Sequence, residues 1–518
     1  MRLLPLVALV LLAGAGPGGE DPQNPVDKHF DAVWKAAGIA TPKAADDYEF
    51  FRRVSLDVIG RLPKPEEVRA FVREPDRDRT IDRLLASDEA AEFFADSWLR
   101  LLLSYKFEET LPFKINFPAF RRYLKESAAS DLPYREFATQ LLSDTGDYKQ
   151  KPAANFLLAA IDPVEPPHEI TNRITRIFLG IQMQCARCHD HPFDKYTQED
   201  FWGLTAFFNG IKPKARQTFD GFGVKLMMEP PGTMMMIPDS KTEVKARFLD
   251  GRSPDPAQPP LKALAGYIVD HKQFSRAIVN RVWAHFMGRG FVEPLDKFSE
   301  KSQPTHPELL DALCAEFAKD GTRLRPLMRT ILTSRAYQAS CATLKETEAT
   351  SHAYMQLKPF NPVQVLNFLS YALNLDVFLQ EFYKKFTENK DLPETYRNPE
   401  VFRMYLHQFT QGLLAPTGIV PEETRYTGSV RLALKLMNSN DLQGLIKAEW
   451  GRLADILKRE ESPEGRLNEI FLTLVSRPPN AAEKERYLAY IQKKKGAKGA
   501  YEDVYWVLVN STELIFNH

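Results

Sequence analysis

The sequence predicts a mainly α fold, with two helical domains joined by a Pro/Gly/Met-rich segment holding a few short strands. Three observations carry this. Apolar residues recur at helical spacing through most of the chain. Stop and start signals fall between those runs, as where Gly60-Arg61-Leu62-Pro63 is followed by Pro65-Glu66-Glu67. Residues 211–258 then break the texture with Gly, Pro and Met. The expected division is a leader over 1–15, a first helical domain over 22–210, an extended segment over 211–258 and a second helical domain over 259–518.

The elements follow in order. Helices are expected over 27–37 and 46–59, the second with Tyr48, Phe51, Leu56 and Ile59 at helical spacing. A helix opening at Pro65 and others over 79–86 and 90–105 continue the pattern, and Trp98, Leu101, Leu102 and Tyr105 form one core face. From His168 to Gln184, Ile170, Ile174, Ile177, Phe178 and Ile181 mark a buried helix that runs directly into Cys185. A short aromatic helix over 199–208 ends at Asn209-Gly210. Residues 223–226 and 242–244 read as strands, and Met234-Met235-Met236 as soft loop packing. Helices resume over 261–271 and 273–287, the latter closed by Gly288. Thr305 and Glu308 form a capping box for a helix over 308–319. More helices reach the end of the chain, interrupted by a polar stretch near 389–399.

Composition narrows the function. The 518 residues carry 68 basic and 68 acidic side chains, so no global field points to nucleic acid or an anionic membrane. Met1-Arg2, the apolar run Leu3 to Leu12 and Ala13-Gly14-Ala15 read as a secretory signal, too short for a membrane span. No later run is long and apolar enough for a transmembrane helix. The expected location is therefore the periplasm or cell surface, where thiols oxidise unless protected. Four cysteines are too few to be a disulfide scaffold for a chain of this length.

One motif is chemically loud: Cys185-Ala186-Arg187-Cys188-His189-Asp190-His191-Pro192-Phe193-Asp194. Thiols three residues apart suit the two vinyl groups of one haem, with His189 beneath the iron as its proximal ligand. The leading expectation is thus one covalent haem c on Cys185, Cys188 and His189. Rival readings stay open: a Cys185–Cys188 disulfide, a divalent metal such as zinc on His189 and His191 with the cysteines, or a plain core turn. A metal would need a distant ligand such as His168, His285 or His306. Asp190 and Asp194, with Arg187 beside them, are candidates to orient the two histidines. His168 or a Met from 227–236 are candidates for a sixth iron ligand, whereas His191 and Met183 lie too close in sequence.

Longer stretches carry a resemblance. Phe50 to Pro63 and Phe178 to Asp194 resemble the signatures of a large planctomycete family described as cytochrome-c-like. Ser275 to Gly290, Thr305 to Leu310 and Asn510 to His518 resemble its companion C-terminal domain of unknown function. The resemblance spans nearly the whole chain and weakens between about 340 and 430, where Leu357-Lys358-Pro359-Phe360-Asn361 departs from the usual pattern. It implies a two-domain exported protein whose biochemical role is unassigned.

The functional expectation is an electron-transfer protein with an unidentified redox or envelope partner. The alternatives are a metal-dependent extracytoplasmic enzyme, plausibly of polysaccharide breakdown, and a structural envelope protein. Elsewhere, Arg276, Asn280, Arg281 and His285 recur on one side of a helix, as a polar pocket, a contact for haem propionates or, more simply, a buried network. Asp57 beside Arg52, Arg53 and Arg61 reads as a structural ion pair. Cys314 reads as a buried thiol, with a bridge to Cys341 left open.

Overall fold

A computed structural model describes residues 24–103, 115–161, 167–218, 221–228, 233–341, 350–372, 384–385, 388, 446–449 and 451–518. The leader expected over 1–15, the ring of Tyr105 and the polar stretch 389–399 lie outside the described residues. The fold is mainly α, as the periodicity predicts, with a few short strands.

The N-terminal helices follow their start and stop signals closely. Helix α1 (Pro25–Ala37) is capped by the Asn24 side chain and ends at Gly38 in the left-handed region, and it buries Val26, Phe30 and Trp34 along one stripe. Helix α2 (Asp47–Ile59) is capped by Asp46 and ends at Gly60 with φ 69°. A Cβ on Gly60 would come within 2.2 Å of the Phe93 ring, so both the turn and the packing demand glycine there. Helices α3 (Pro65–Arg73), α4 (Arg77–Leu85) and α5 (Asp88–Leu103) follow, then α6 (Phe117–Ala129), α7 (Tyr134–Ser143) and α8 (Asn155–Ala160).

The expected helix over 168–184 is shorter. Helix α9 (His168–Ile174) passes into a π turn over Thr175–Leu179, and Gly180 with φ 64° ends it, five residues before Cys185. The Thr175 carbonyl, which accepts from Ile181 N–H at 2.9 Å, closes that wide turn. Helix α10 (Gln198–Thr205) comes after the cysteine motif, and its 3₁₀ extension reaches Phe208.

The extended segment contains strands where the sequence expects them. Strands β1 (Gly146–Asp147), β2 (Ile211–Thr218) and β3 (Gly221–Met228) form an antiparallel sheet in the order β1-β3-β2. Strands β4 (Met234–Met236) and β5 (Glu243–Lys245) pair separately, so the three methionines are strand rather than loop. Helices α11 (Pro260–Asp270), α12 (Lys272–Met287), α13 (Pro307–Lys319), α14 (Leu324–Leu332) and α15 (Arg335–Gln338) follow. Gly288 closes α12 as expected, with φ 76°. The capping box at Thr305 does not form: α13 starts at Pro307, its N-cap is His306, and no side chain caps it. Strand β6 (Lys358–Pro359) leads to α16 (Pro362–Ala372), and α17 (Gly451–Arg459), α18 (Pro463–Val475), α19 (Ala481–Lys493), α20 (Lys498–Val509) and α21 (Thr512–Ile515) end at β7 (Phe516–Asn517). Strand β7 pairs antiparallel with β6, Lys358 opposite Asn517.

Two apolar cores result. One runs from Val26 to Met355 and takes in helices on both sides of the extended segment. The other gathers Phe360 to Leu514 and includes Leu56 and Leu62 from the N-terminal helices. Helix α2 borders both, and from Phe50 to Ile59 every one of its residues is buried. Among the described residues no helix is long and apolar enough to cross a membrane.

A buried polar centre holds these parts together. Asp57 Oδ2 accepts from Lys358 Nζ at 2.6 Å and from Tyr337 Oη at 2.9 Å, while Oδ1 accepts from Asn517 Nδ2 at 2.8 Å. The cation expected beside Asp57 was an arginine of its own helix; it is Lys358 instead. Arg53 pairs with Glu49 at 2.6 Å, Arg61 pairs with Glu67 and Glu89, and Arg52 donates to the carbonyls of Glu513 and Leu514. Arg53 lies one turn before Asp57 on the same face, but Glu49 and the carbonyls of Tyr337 and Ala339 take its guanidinium, and Arg52 projects to another side of the helix.

Removing one member of a buried pair leaves an uncompensated charge. Asp57→Asn should therefore lose about 3–5 kcal/mol in urea unfolding. Adding Lys358→Met should recover part of that loss; a double variant no more stable than the single one contradicts the pairing. A second expectation concerns acid. Burial, reinforced by His306, Arg289 and His29, pulls His352 down to about 3. The unfolded chain takes up that proton near pH 6.5 and the folded chain only near 3, so stability falls as pH drops through that window, by about 1.4 kcal/mol per unit. His352 has φ 49°, which asparagine tolerates, so His352→Asn should flatten the acid limb of a melting-temperature profile. An unchanged limb refutes the assignment.

Candidate functional site

The cysteine motif sits on a short irregular stretch clamped between two helices. A 3₁₀ turn over Gln184–Arg187 buries Ala186 and turns both thiols outward, so Cys185 and Cys188 are exposed and unpaired. Two contacts fix the turn. Arg187 Nη1 lies 2.9 Å from His168 Nε2 at the start of α9, and the Arg187 carbonyl accepts from Trp202 Nε1 at 2.9 Å and Gln198 Nε2 at 3.2 Å on α10. A guanidinium only donates, so His168 Nε2 is the acceptor.

His189 is exposed, and its Nδ1 lies 2.7 Å from the Asp190 carbonyl. A carbonyl can only accept, so Nδ1 carries the proton and Nε2 presents a lone pair. This is the arrangement a metal-ligating imidazole needs. The oxygen that orients it is a backbone carbonyl, not the expected carboxylate. Asp190 Oδ1 instead accepts from Gln198 N–H at 2.9 Å, and Asp194 Oδ1 from Lys195 N–H at 2.8 Å. His191 also serves the loop: its N–H donates to the Tyr196 carbonyl at 2.8 Å, and its Nδ1 lies 3.3 Å from Phe193 N–H. The Phe193 ring is 71% exposed, the most exposed large apolar side chain among the described residues.

The residues beyond the cysteines thus have a structural explanation: they build a loop that returns the chain to α10. Among the described residues no group of three or more His, Cys, Asp or Glu side chains is placed to hold a metal ion. The donors that the motif itself presents are two thiols and one imidazole, the set a covalent haem uses. The axial candidate His168 has its Nε2 engaged by Arg187, and Met183 is fully buried. Met234 and Met236 are exposed on β4.

The other flagged residues separate. Asn280 is a buried clasp, accepting from Val292 N–H and donating to the Val292 carbonyl, both at 3.1 Å. Arg276 lies 3.7 Å from Asp311. His285 Nε2 donates to the Asp57 carbonyl at 2.8 Å. Arg281 joins none of these and lines a cavity. Cys314 and Cys341 are free and partly buried, so no bridge joins them. Lys358, Tyr337 and Asn517 were missed as partners of Asp57, because their separations in sequence give periodicity nothing to register. The departure at Leu357 to Asn361 was the one available signal.

Two family matches cover most of the chain. Residues 25–213 match a family described as protein of unknown function (DUF1549), and residues 262–491 match one described as protein of unknown function (DUF1553). No curated protein and no solved structure matches the chain.

The four thiols should differ sharply toward alkylation. Burial pushes Cys314 up to about 12 and Cys341 up to about 11, leaving little thiolate at neutral pH. In reduced, haem-free protein, brief native treatment with iodoacetamide should label Cys185 and Cys188 and spare the other two until denaturant is added. Peptide mass spectrometry reads the sites, and equal labelling of all four would be the contrary result.

Proposed function

We propose that this chain, a member of the DUF1549 family that also carries a DUF1553 domain, is an exported c-type cytochrome-like protein bearing one haem on Cys185, Cys188 and His189. One observation carries the reading: two unpaired, exposed thiols flank a 3₁₀ turn, and the next residue is an imidazole whose Nδ1 is already tied to a carbonyl. Cys185 and Cys188 would hold the haem by thioethers, each thiol adding its sulfur and hydrogen across one vinyl group, and His189 would offer Nε2 to the iron. A haem held this way supplies one-electron exchange at its iron.

The chain's own contribution is position. Arg187 and Trp202 hold the turn against α9 and α10, so the two thiols do not depend on loop motion for their spacing. Their exposure leaves the attachment face open to a maturation enzyme and afterwards to a redox partner. Among the described residues His168 Nε2 is already engaged by Arg187, while Met234 and Met236, from the 227–236 stretch, are exposed. The leader-like N-terminus supports export, the location that covalent haem attachment would require.

The reading is tested by expression with a c-type haem-attachment system. Haem stain should survive denaturing electrophoresis, and a pyridine haemochrome should form. Both should vanish in Cys185→Ser/Cys188→Ser, while His189→Ala should keep the bound haem but alter its visible spectrum. Protein from the same cells with free or disulfide-bonded Cys185 and Cys188 and no haem would overturn the proposal.

A further inference from the structure

A second candidate site lies apart from the cysteine motif. A partly open cavity of about 280 Å³ is lined by α5, α6, α7, α12 and α14, with Asp57 and Val58 of α2. Taking the roughly 30 Å³ that a water occupies in the liquid as a unit, it has room for on the order of ten non-hydrogen atoms. Its wall is mostly apolar and rich in aromatic rings, among them Phe93, Trp98 and Phe137. At one end the wall is the turn between α6 and α7, where Asp131 takes the Arg325 N–H and Arg325 Nη2 reaches the Ala128 carbonyl.

Two polar groups on that wall have no partner. Arg281 makes no hydrogen bond or ion pair with any described residue, and its Nε is buried without an acceptor. Tyr134 is 1% exposed, and its hydroxyl is likewise buried and unpartnered. Arg281 is half-buried with its Nε sealed from solvent, and desolvation draws it below its ordinary value. The carboxylate that acts on it, Asp296, is committed elsewhere, to Arg176 Nε at 2.7 Å and Gln182 Nε2 at 2.8 Å, and both oxygens of Asp57 are taken. The third polar group, His285, is neutralised by burial and has spent its Nε2 proton on the Asp57 carbonyl. With Asp57 paired to Lys358, the wall therefore carries the Arg281 and Arg325 guanidinia against the Asp131 carboxylate, one net positive charge, beside the Tyr134 hydroxyl and the aromatic rings.

We propose that this cavity binds a small apolar monocarboxylate, its carboxylate on Arg281 and the Tyr134 hydroxyl and its body among Phe93, Trp98 and Phe137. A guanidinium meets a carboxylate through two parallel N–H bonds, and the hydroxyl adds a third donor. A polyanion such as a phosphate ester fits less well, because Asp131 leaves one net positive charge on a largely apolar wall.

The test compares matched acids and alcohols on the purified protein by calorimetry and thermal shift. Octanoate and 4-phenylbutyrate should bind and raise the melting temperature, and 1-octanol and 4-phenylbutanol should bind roughly tenfold or more weakly, the weight of charge-assisted hydrogen bonds. Arg281→Met should abolish that preference, and Tyr134→Phe should reduce it. Should Arg281→Met fail to fold, the acid-against-alcohol comparison on the wild-type chain still decides. Equal binding of acids and alcohols, or no binding of either acid at millimolar concentration, overturns the proposal.

Discussion

The fold is organised around one buried carboxylate. Asp57 sits in the last turn of α2, within the stretch Phe50–Ile59 that is buried throughout, and receives Lys358, Tyr337 and Asn517, each from a different part of the chain. Its own backbone carbonyl receives His285 from a fourth part. Such a group is expensive to bury alone, and it becomes tolerable only when every lone pair has a donor. The requirement is severe enough to dictate topology. Lys358 can arrive only if β6 lies against β7, and Gly288 must lack a side chain, because a Cβ there would stand 2.9 Å from the Lys358 stem. Arg52 and Arg53, equally buried, point away and spend their donors on carbonyls of the C-terminal residues and of α15. The C-terminus is thereby held by the N-terminal helices.

The cysteine motif obeys the opposite logic. It has no apolar enclosure; its thiols and the His189 ring face outward, and only the peptide carbonyl of Arg187 and the small side chain of Ala186 are drawn inside. The proposed haem centre, open to a maturation enzyme and then to a redox partner, would benefit from this. The short π turn and Gly180 free the stretch from α9 while keeping its end fixed: Phe298 N–H donates to the Gly180 carbonyl at 2.9 Å. Rigidity at the root and exposure at the tip are compatible because they belong to different residues.

Much of this was legible in the sequence, and the divide is physical. Helix positions, the Gly60 and Gly288 stops and the strands near 223 and 243 follow from local chemistry, which a one-dimensional reading captures. The reading failed where two local rules competed. The run from Ile170 to Ile181 keeps a helical period, yet Gly180 in the left-handed region ends the helix first. Thr305 and Glu308 have the spacing of a capping box, but Pro307 starts the helix later and removes the need for it. Asp57 was recognised as an ion-pair member, whereas its partner 301 positions away was invisible. Cys185, Cys188 and His189 stand out in the sequence as a motif; the role of His191 and Asp194 in closing the loop does not, because it depends on Tyr196 and Lys195 backbone geometry.

Helix α12 shows how these regions communicate through one rigid element. Ala277 lies beside Gly180, at the root of the motif. One turn later Arg281 faces the cavity, another turn later His285 holds the Asp57 carbonyl, and Gly288 then admits Lys358. The spacings of four, four and three keep all four positions on one face, spread over about 16 Å of helix axis. The four residues flagged together in the sequence were therefore not one network. Arg276 and Asn280 serve neighbouring loops and helices, His285 serves the buried carboxylate, and Arg281 alone is left without a protein partner. A helix fixed by a glycine contact and a buried ion pair has little freedom to carry Arg281 to another acceptor, so its guanidinium stays on the cavity wall.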